Sequence, residues 1–508
     1  MEKPAFIKKY NTPLVVALAA AVAVLYVLFH LHYMQQFLDW DQIVYSNNII
    51  TSIKYNTIPV VNPHHVHMEI GGKLFHELTG IPLGIQDVVF SNRLRSLLFA
   101  AIGLFFLLLF IHELTGKTLM ALAGTLLAAL SMGYLHYATK VDTPIFPAVM
   151  MIVLLWILQR LRNTPRLTYK LLFAAAGGLA CAAGIAAHQY MAIPAGICCL
   201  FFIFPKTGIL SRLSAKPFAI TLPEPKLDFK KQLIHIVPGA VLAVSAVIFS
   251  LLLYFTIASF FRMTYTPREG IAFIDDIQSF QRWFLGYARL DAWGYGFKRF
   301  NPKAPFTGFT DSFLTGAHGI FVKDFNFVFS YKISAFFNKA SFPYNVLAVF
   351  TLIVGAGSIL LAGPLIKKYG RLFPCVFFSF AALAVFSTYW EPHYFEFWLV
   401  PNVLFVILSV MFLNCIGEQT AKLFGKAGGL LRPVPALAIL LAASVLFLHN
   451  TEHYLVPYSR VKHLQAISSS WDPSYYNLWS DSVYKYPENV YKDVYGTKQG
   501  EVWPVRKD

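Results

Sequence analysis

Eleven apolar runs, each close to twenty residues long and nearly free of charge, limit what this chain can become. They fall at about 13–33, 94–112, 118–136, 143–158, 171–188, 190–205, 236–259, 344–363, 372–390, 397–415 and 434–449. About twenty apolar residues, wound as a helix, match the hydrocarbon thickness of a bilayer. Only 13% of the residues are charged, against roughly a quarter in soluble domains. The expected fold class is therefore an all-α polytopic membrane protein with about 11 transmembrane helices, long external loops and an external aromatic-rich C-terminal tail. The fifth and sixth runs are separated only by His188-Gln189-Tyr190. The first is too long for a signal peptide and is followed by a spacer rather than a cleavable start.

Lys and Arg orient such a chain, because basic loops stay cytoplasmic. With the N-terminus inside and the C-terminus external, the inside segments are 1–12, 113–117, 159–170, 206–234, 364–371 and 416–433. They hold 20 of the 42 Lys and Arg but only 5 of the 26 Asp and Glu. The formal charge of +16 thus reports topology, and nucleic acid is not an expected partner. All five cysteines (Cys181, Cys198, Cys199, Cys375, Cys415) fall in apolar runs, so neither a disulfide framework nor a cysteine metal site is expected.

The loops divide the chain into four parts. An N-terminal helical module covers 1–205 and includes a first external loop at 34–93. A Pro- and Lys-rich cytoplasmic linker covers 206–234. A second transmembrane module covers 235–449 and includes an external loop at 262–343. An external tail covers 450–508 and holds eight Tyr and three Trp. Three external segments are long, and the inside loops are short apart from 206–234, which puts the working face outside, periplasmic in a Gram-negative cell. Within 34–93, SNNIITSIKYN and MEIGGKLFHELTG carry apolar residues at helical spacing and suit short interfacial helices.

The first run ends in FLDWDQIVYSNNI, acidic where a basic or aromatic boundary is usual. Asp41 and Asp39, with Asp142 in YATKVDTP, are candidate bases for an attacking hydroxyl; solvated markers of a helix end are the simpler alternative. His64, His65, Arg93, Lys140, Arg262 and Arg268 are candidate cations for an anionic ligand, set against interfacial anchors that snorkel to headgroups. Glu391, His393 and Glu396 interleave with Trp390, Tyr394 and Trp398 in STYWEPHYFEFWLVPN. That pattern suits sugar hydroxyls, or an ordinary aromatic belt. No cofactor is required. A divalent metal is the alternative at His64, His65 and His67 with Glu69, because His65 and His67 would share one face of an extended segment.

DWDQIVYSNNI followed by IPVVNPHHVHMEIGG resembles the first external loop of the glycosyltransferase C superfamily (GT-C), in particular the protein mannosyltransferase and lipid A aminoarabinose transferase type. FSNRLRSLLFA, YATKVDTPIFPAVMMIVLLW and the Gly-rich AAAGGLACAAGIAAHQYMAIPA extend the resemblance over about residues 13–205. It implies that this first module is catalytic, that Asp41 takes the acidic position, and that Tyr45 is the following aromatic. It also implies that Asp142 opens a later helix and that Arg93 sits at the external start of the second. Gln42 stands where a second acid is common, and Asn62-Pro63-His64-His65 lacks the Lys of some relatives.

The resemblance implies sugar transfer from a polyprenyl-phosphate donor to an acceptor hydroxyl on a glycolipid, polysaccharide or protein. The transfer would occur at the external face of an inner membrane, with inversion and with Asp41 as base. The alternatives are an O-antigen polymerase or ligase, and a lipid or solute transporter. The runs carry no charge near their midpoints, and no internal repeat is evident, which disfavours the transporter.

Overall fold

The computed structural model describes residues 13–34, 40–54, 66–85, 87–203, 229–261, 263–266, 270–273, 278, 304–314, 342–390, 395–425 and 428–456. Among these, nine helices are long and apolar enough to cross a membrane, so the chain is a multi-pass membrane protein. Every one of the eleven apolar runs is helical, but two form shorter helices. In chain order the elements are α1 (Pro13–His32), α2 (Trp40–Lys54), α3 (His67–Phe75), α4 (Val88–Thr115), α5 (Thr118–Ala129) and α6 (Met132–Tyr137). Then follow α7 (Ile145–Asn163), α8 (Leu167–Ala187), α9 (Ala192–Ile203) and α10 (Phe229–Phe261). The second half contains α11 (Ala304–Asp311), α12 (Phe342–Leu360), α13 (Ala362–Tyr369), α14 (Leu372–Trp390), α15 (Leu399–Leu423) and α16 (Val434–Asn450). The two shorter helices are α5 and α9.

Three departures from the sequence expectation have local causes. α4 begins at Val88, about a turn and a half before 94, because the Asp87 carboxylate caps it and accepts from the amides of Val89 (2.8 Å) and Phe90 (3.1 Å). An N-cap acid satisfies amides that the first turn leaves unpaired. The third run does not continue to 136. It breaks after α5, where Ser131 is extended, and restarts as α6. The all-α bundle also carries a short insertion, in which Met263–Thr266 (β1) and Gly270–Phe273 (β2) pair as an antiparallel hairpin just after α10, with Met263 opposite Phe273.

α4 packs against α1, α5 and α7; α7 packs on α8, and α8 lies along α10. α15 closes the bundle through contacts with α14, α5 and α7. It is the most enclosed span, with 89% of its apolar window buried, whereas the α1 and α10 windows are only 22% buried. α10 turns Val244, Val247, Ile248, Leu251, Leu252 and Phe255 outward. In water such a stripe would be an aggregation liability; in a bilayer it is the solvated face.

Close approach of α8 and α10 depends on glycine. A Cβ at Gly178 would stand 2.7 Å from the Ala246 amide nitrogen and nearer still to Ser245 Oγ. Small residues let membrane helices reach van der Waals contact, which drives their association where water cannot. Gly178→Val is expected to cost about 1–3 kcal/mol through overpacking, read as a lower thermal transition in detergent. An unchanged transition would contradict this contact.

Candidate active site

The site is built around the buried stretch between α5 and α7. Residues 131–144 are buried without interruption, although much of the stretch is not helical. Peptide groups in such a place need internal partners, because lipid offers none. They find them on distant elements. Met132 N donates to Phe313 O (3.0 Å) and Gly133 N to Ser312 O (2.8 Å), both just after α11. Asn450 Nδ2, at the end of α16, donates to Leu130 O (2.9 Å) and Phe313 O (2.8 Å). Asn402 Nδ2, in the first turn of α15, donates to Ser312 O (2.8 Å). Above them, His136 Nδ1 meets the hydroxyl of Tyr454.

Lys140 and Asp142 lie in this stretch and are 3% exposed. Asp142 Oδ1 accepts from Thr143 N at 2.6 Å, and the Lys140 ammonium lies 5.6 Å from the Tyr137 ring centroid. Between them, Val141 N donates to Gln42 Oε1 at 3.2 Å. Gln42 is fully buried and follows Asp41 directly on α2. The residue that departs from the GT-C pattern therefore has a structural role: its amide pins the Asp41 helix to the Asp142 loop. Tyr45 sits one turn further along α2 and is half-buried against the core.

The two interfacial helices expected in 34–93 are present as α2 and α3, and they pack together. Lys73 Nζ donates to Ser52 O across them (3.3 Å). Below them, Arg95 Nη1 donates to Met68 O (3.1 Å), and its guanidinium lies 4.9 Å from the Phe146 ring. Glu69 is 2% exposed. Burial pushes its carboxyl up to about 8, against the opposing pull of an Asn48 hydrogen bond and the Arg95 charge. The sequence offers Glu69 only as a metal partner of the nearby histidines and does not single out Arg95, because nothing in MEIGG or in FSNRLRS distinguishes a buried charged group from an exposed one.

Arg93 is not at the mouth of its helix. It lies within the second turn of α4 and is 5% exposed. Glu396 is half-buried on a short 3-10 turn, Phe395–Trp398, close enough to Tyr190 to interact electrostatically. Tyr190, Phe386 and Phe397 gather beside it with ring centroids 5.9–6.2 Å apart, and Trp398 is buried against Phe309 rather than free to meet a ligand. The expected aromatic cluster is thus partly core. The 3-10 turn packs on α6, so Glu396 shares this end of the bundle with Asp142.

His67 departs from the extended reading. It opens α3, its ring lies 4.3 Å from that of Phe146, and Nδ1 is 3.4 Å from Ala186 O. Among the described residues no group of three or more His, Cys, Asp or Glu is placed to hold a metal. Asp39, His64, His65, Arg262, Arg268, Glu391 and His393 lie outside the described residues, as does the tail beyond 456, and Asp41 is described by its backbone alone.

No family model matches the chain, and no curated protein matches it. Two crystal structures of the Archaeoglobus fulgidus oligosaccharyltransferase are similar to it. One is in complex with Zn and sulfate (TM-score 0.49, 14% identity), the other tethered with an acceptor peptide containing the NVT sequon (TM-score 0.45, 15% identity). They cover 85% and 90% of this chain and 53% and 56% of their own, so this chain spans about half the length of the archaeal enzyme. ArnT from Cupriavidus metallidurans bound to undecaprenyl phosphate is also similar, with a TM-score of 0.45 and 13% identity over 87% of this chain and 73% of that one.

Glu69 makes a pH signature. Its carboxyl titrates near 8 when folded, against an ordinary 4.5, so the folded state holds a proton that the unfolded state has lost between those values. Stability is full below about pH 4.5 and falls as pH rises towards 8, by about 1.4 kcal/mol per unit for one proton. Glu69→Gln is expected to flatten this slope and to be more stable than the parent at pH 8.5 in thermal unfolding. Identical pH profiles would contradict the buried carboxyl.

Proposed function

We propose that the chain is a membrane glycosyltransferase that moves a sugar from a polyprenyl-phosphate donor to an acceptor hydroxyl at the end of the bundle bearing Asp41 and Asp142. The observation that carries this reading is the Gln42–Val141 hydrogen bond. It joins two acidic motifs about a hundred residues apart in sequence, both of them matched to the GT-C pattern. A transporter has no need to bring two boundary carboxylates and a buried Lys and Arg to one end of the membrane.

The chemistry follows from what each group can do. Asp41, on an amphipathic helix at the boundary, accepts the proton of the acceptor hydroxyl. The hydroxyl oxygen attacks the anomeric carbon as its bond to the donor phosphate breaks, which inverts the configuration and releases polyprenyl phosphate. Lys140 and Arg93 supply positive charge for the leaving phosphate. Asp142 is too enclosed, and too engaged with its own loop, to be the proton acceptor. It positions Lys140 and the loop, and the two carboxylates divide the roles of base and orienter. Glu396, with the aromatic rings around it, offers hydrogen bonds to sugar hydroxyls. The acceptor is a glycolipid, polysaccharide or protein, and the face is external, in an inner membrane with the N-terminus inside.

Asp41→Asn is expected to lower turnover by two or more orders of magnitude while donor binding is kept. Asp142→Asn should weaken donor binding as well as turnover. Both are read by transfer of radiolabelled sugar in detergent, with thermal transitions as folding controls. Near-normal transfer by Asp41→Asn would remove it as the base.

A further inference from the structure

The opposite end of the bundle holds a second polar site that the transfer chemistry does not use. α7 runs from Ile145, beside Asp142, to Asn163, so its far end lies about 28 Å away along the helix axis. A cavity of about 200 Å³ opens there, lined by Leu161, Arg162, Lys170, Phe202, Pro238, Gly239, Gly370 and Arg371. Its three cations come from three elements: the last turn of α7, the first turn of α8, and the turn between α13 and α14.

Several charges at this end are paired within the protein. Arg160 meets Glu113 at 2.5 Å, and Lys368 and Lys117 meet Glu418 at 2.7 and 3.4 Å. Among the described residues the cavity lining contains no carboxylate. Arg162 Nη2 donates to Lys368 O (3.1 Å) and Arg371 Nη1 to Phe202 O (3.2 Å), which fixes both guanidinium groups at the cavity wall. Arg371 repels both Arg162 and Lys170. Among the described residues neither Lys170 nor Arg371 makes an ion pair. A single cation at a helix end is an ordinary anchor. Three converging on one half-buried hollow raise each other's energy unless an anion sits between them.

The rest of the wall selects the kind of anion. Leu161, Phe202 and Pro238 are buried apolar residues, and α8 and α10, which contribute to the wall, turn apolar side chains outward. Gly239 closes tightly on the Phe202 carbonyl, and Gly370 has φ +59°, so the backbone crowds the cavity floor. A phosphate-bearing headgroup with its acyl chains along α8 and α10 would satisfy both halves of this lining. We propose that this cavity binds an anionic phospholipid by its phosphate, at the membrane face opposite the transfer site, where basic pockets between helices meet anionic lipid.

Native mass spectrometry of the full chain tests it, using mixed micelles of phosphatidylglycerol and phosphatidylcholine at equal concentration. The parent is expected to retain one phosphatidylglycerol in preference to phosphatidylcholine. Lys170→Glu and Arg371→Gln should weaken that retention about five- to tenfold, and the charge-keeping Lys170→Arg should restore it. Inorganic phosphate at millimolar concentration should not displace the lipid. Displacement by phosphate alone would assign the cavity to a free anion and overturn the lipid reading. Equal retention of the two lipids, or unchanged binding in Lys170→Glu and in Arg371→Gln at normal thermal stability, would overturn the site itself.

Discussion

The need to pair every peptide group inside lipid, where the buried stretch between α5 and α7 stops being helical, shapes the rest of the structure. Between α5 and α7 the chain leaves helical geometry while remaining buried. Free Leu130 and Phe313 carbonyls there would each cost on the order of several kcal/mol in hydrocarbon. Asn450 covers both, Asn402 covers Ser312, and Gln42 covers the Val141 amide. Three carboxamides from α16, α15 and α2 thus tie the end of the bundle together. A carboxamide suits this task because it carries donors and an acceptor with no charge to desolvate.

That solution also creates the candidate site. Once the 131–144 stretch is held by its neighbours, Lys140 and Asp142 are fixed in place rather than free to sample solvent. The α2 helix with Asp41 and Tyr45 is then docked by Gln42. Beneath it, Glu69 and Arg95 sit among Met68, Asn48 and Phe146, giving the interfacial helices a polar but enclosed foundation. At the other end the same helices carry a different pattern. Some cations pair between elements, as at Glu418 and Glu113, and others converge on the cavity around Arg371.

Much of this was legible in the sequence wherever the signal was length and periodicity. Among the described residues all eleven apolar runs are largely helical, the third as two helices, and both interfacial helices of the first loop lie where their spacing put them. The ends were less legible. Asp87 was a cap signal in the sequence that the apolar count passed over. The break at Ser131 could not be seen, because LSMGYLHY carries no Asp, Glu, Lys, Arg or Pro to mark it and only the partners at 312–313 and 450 make a non-helical backbone tolerable there. Lys140 and Asp142 are candidates by type and position, whereas the depth of Arg93, Glu69 and Arg95 depends on packing that no local pattern encodes. Gln42 looked like a loss relative to the acidic pattern, and its value appears only with Val141 opposite. His67 misled because an extended register was assumed where a helix begins.

The most direct measurement is product analysis after the purified parent chain is reconstituted in liposomes with a pool of polyprenyl-phosphate sugars and candidate acceptors. Mass spectrometry of the extracted lipids and acceptors would follow both halves of the reaction. Covalent gain of one sugar by the acceptor, matched by release of polyprenyl phosphate, is the predicted result. Redistribution of intact donor lipid between leaflets, with no change in covalent mass, would contradict it and make the chain a translocator.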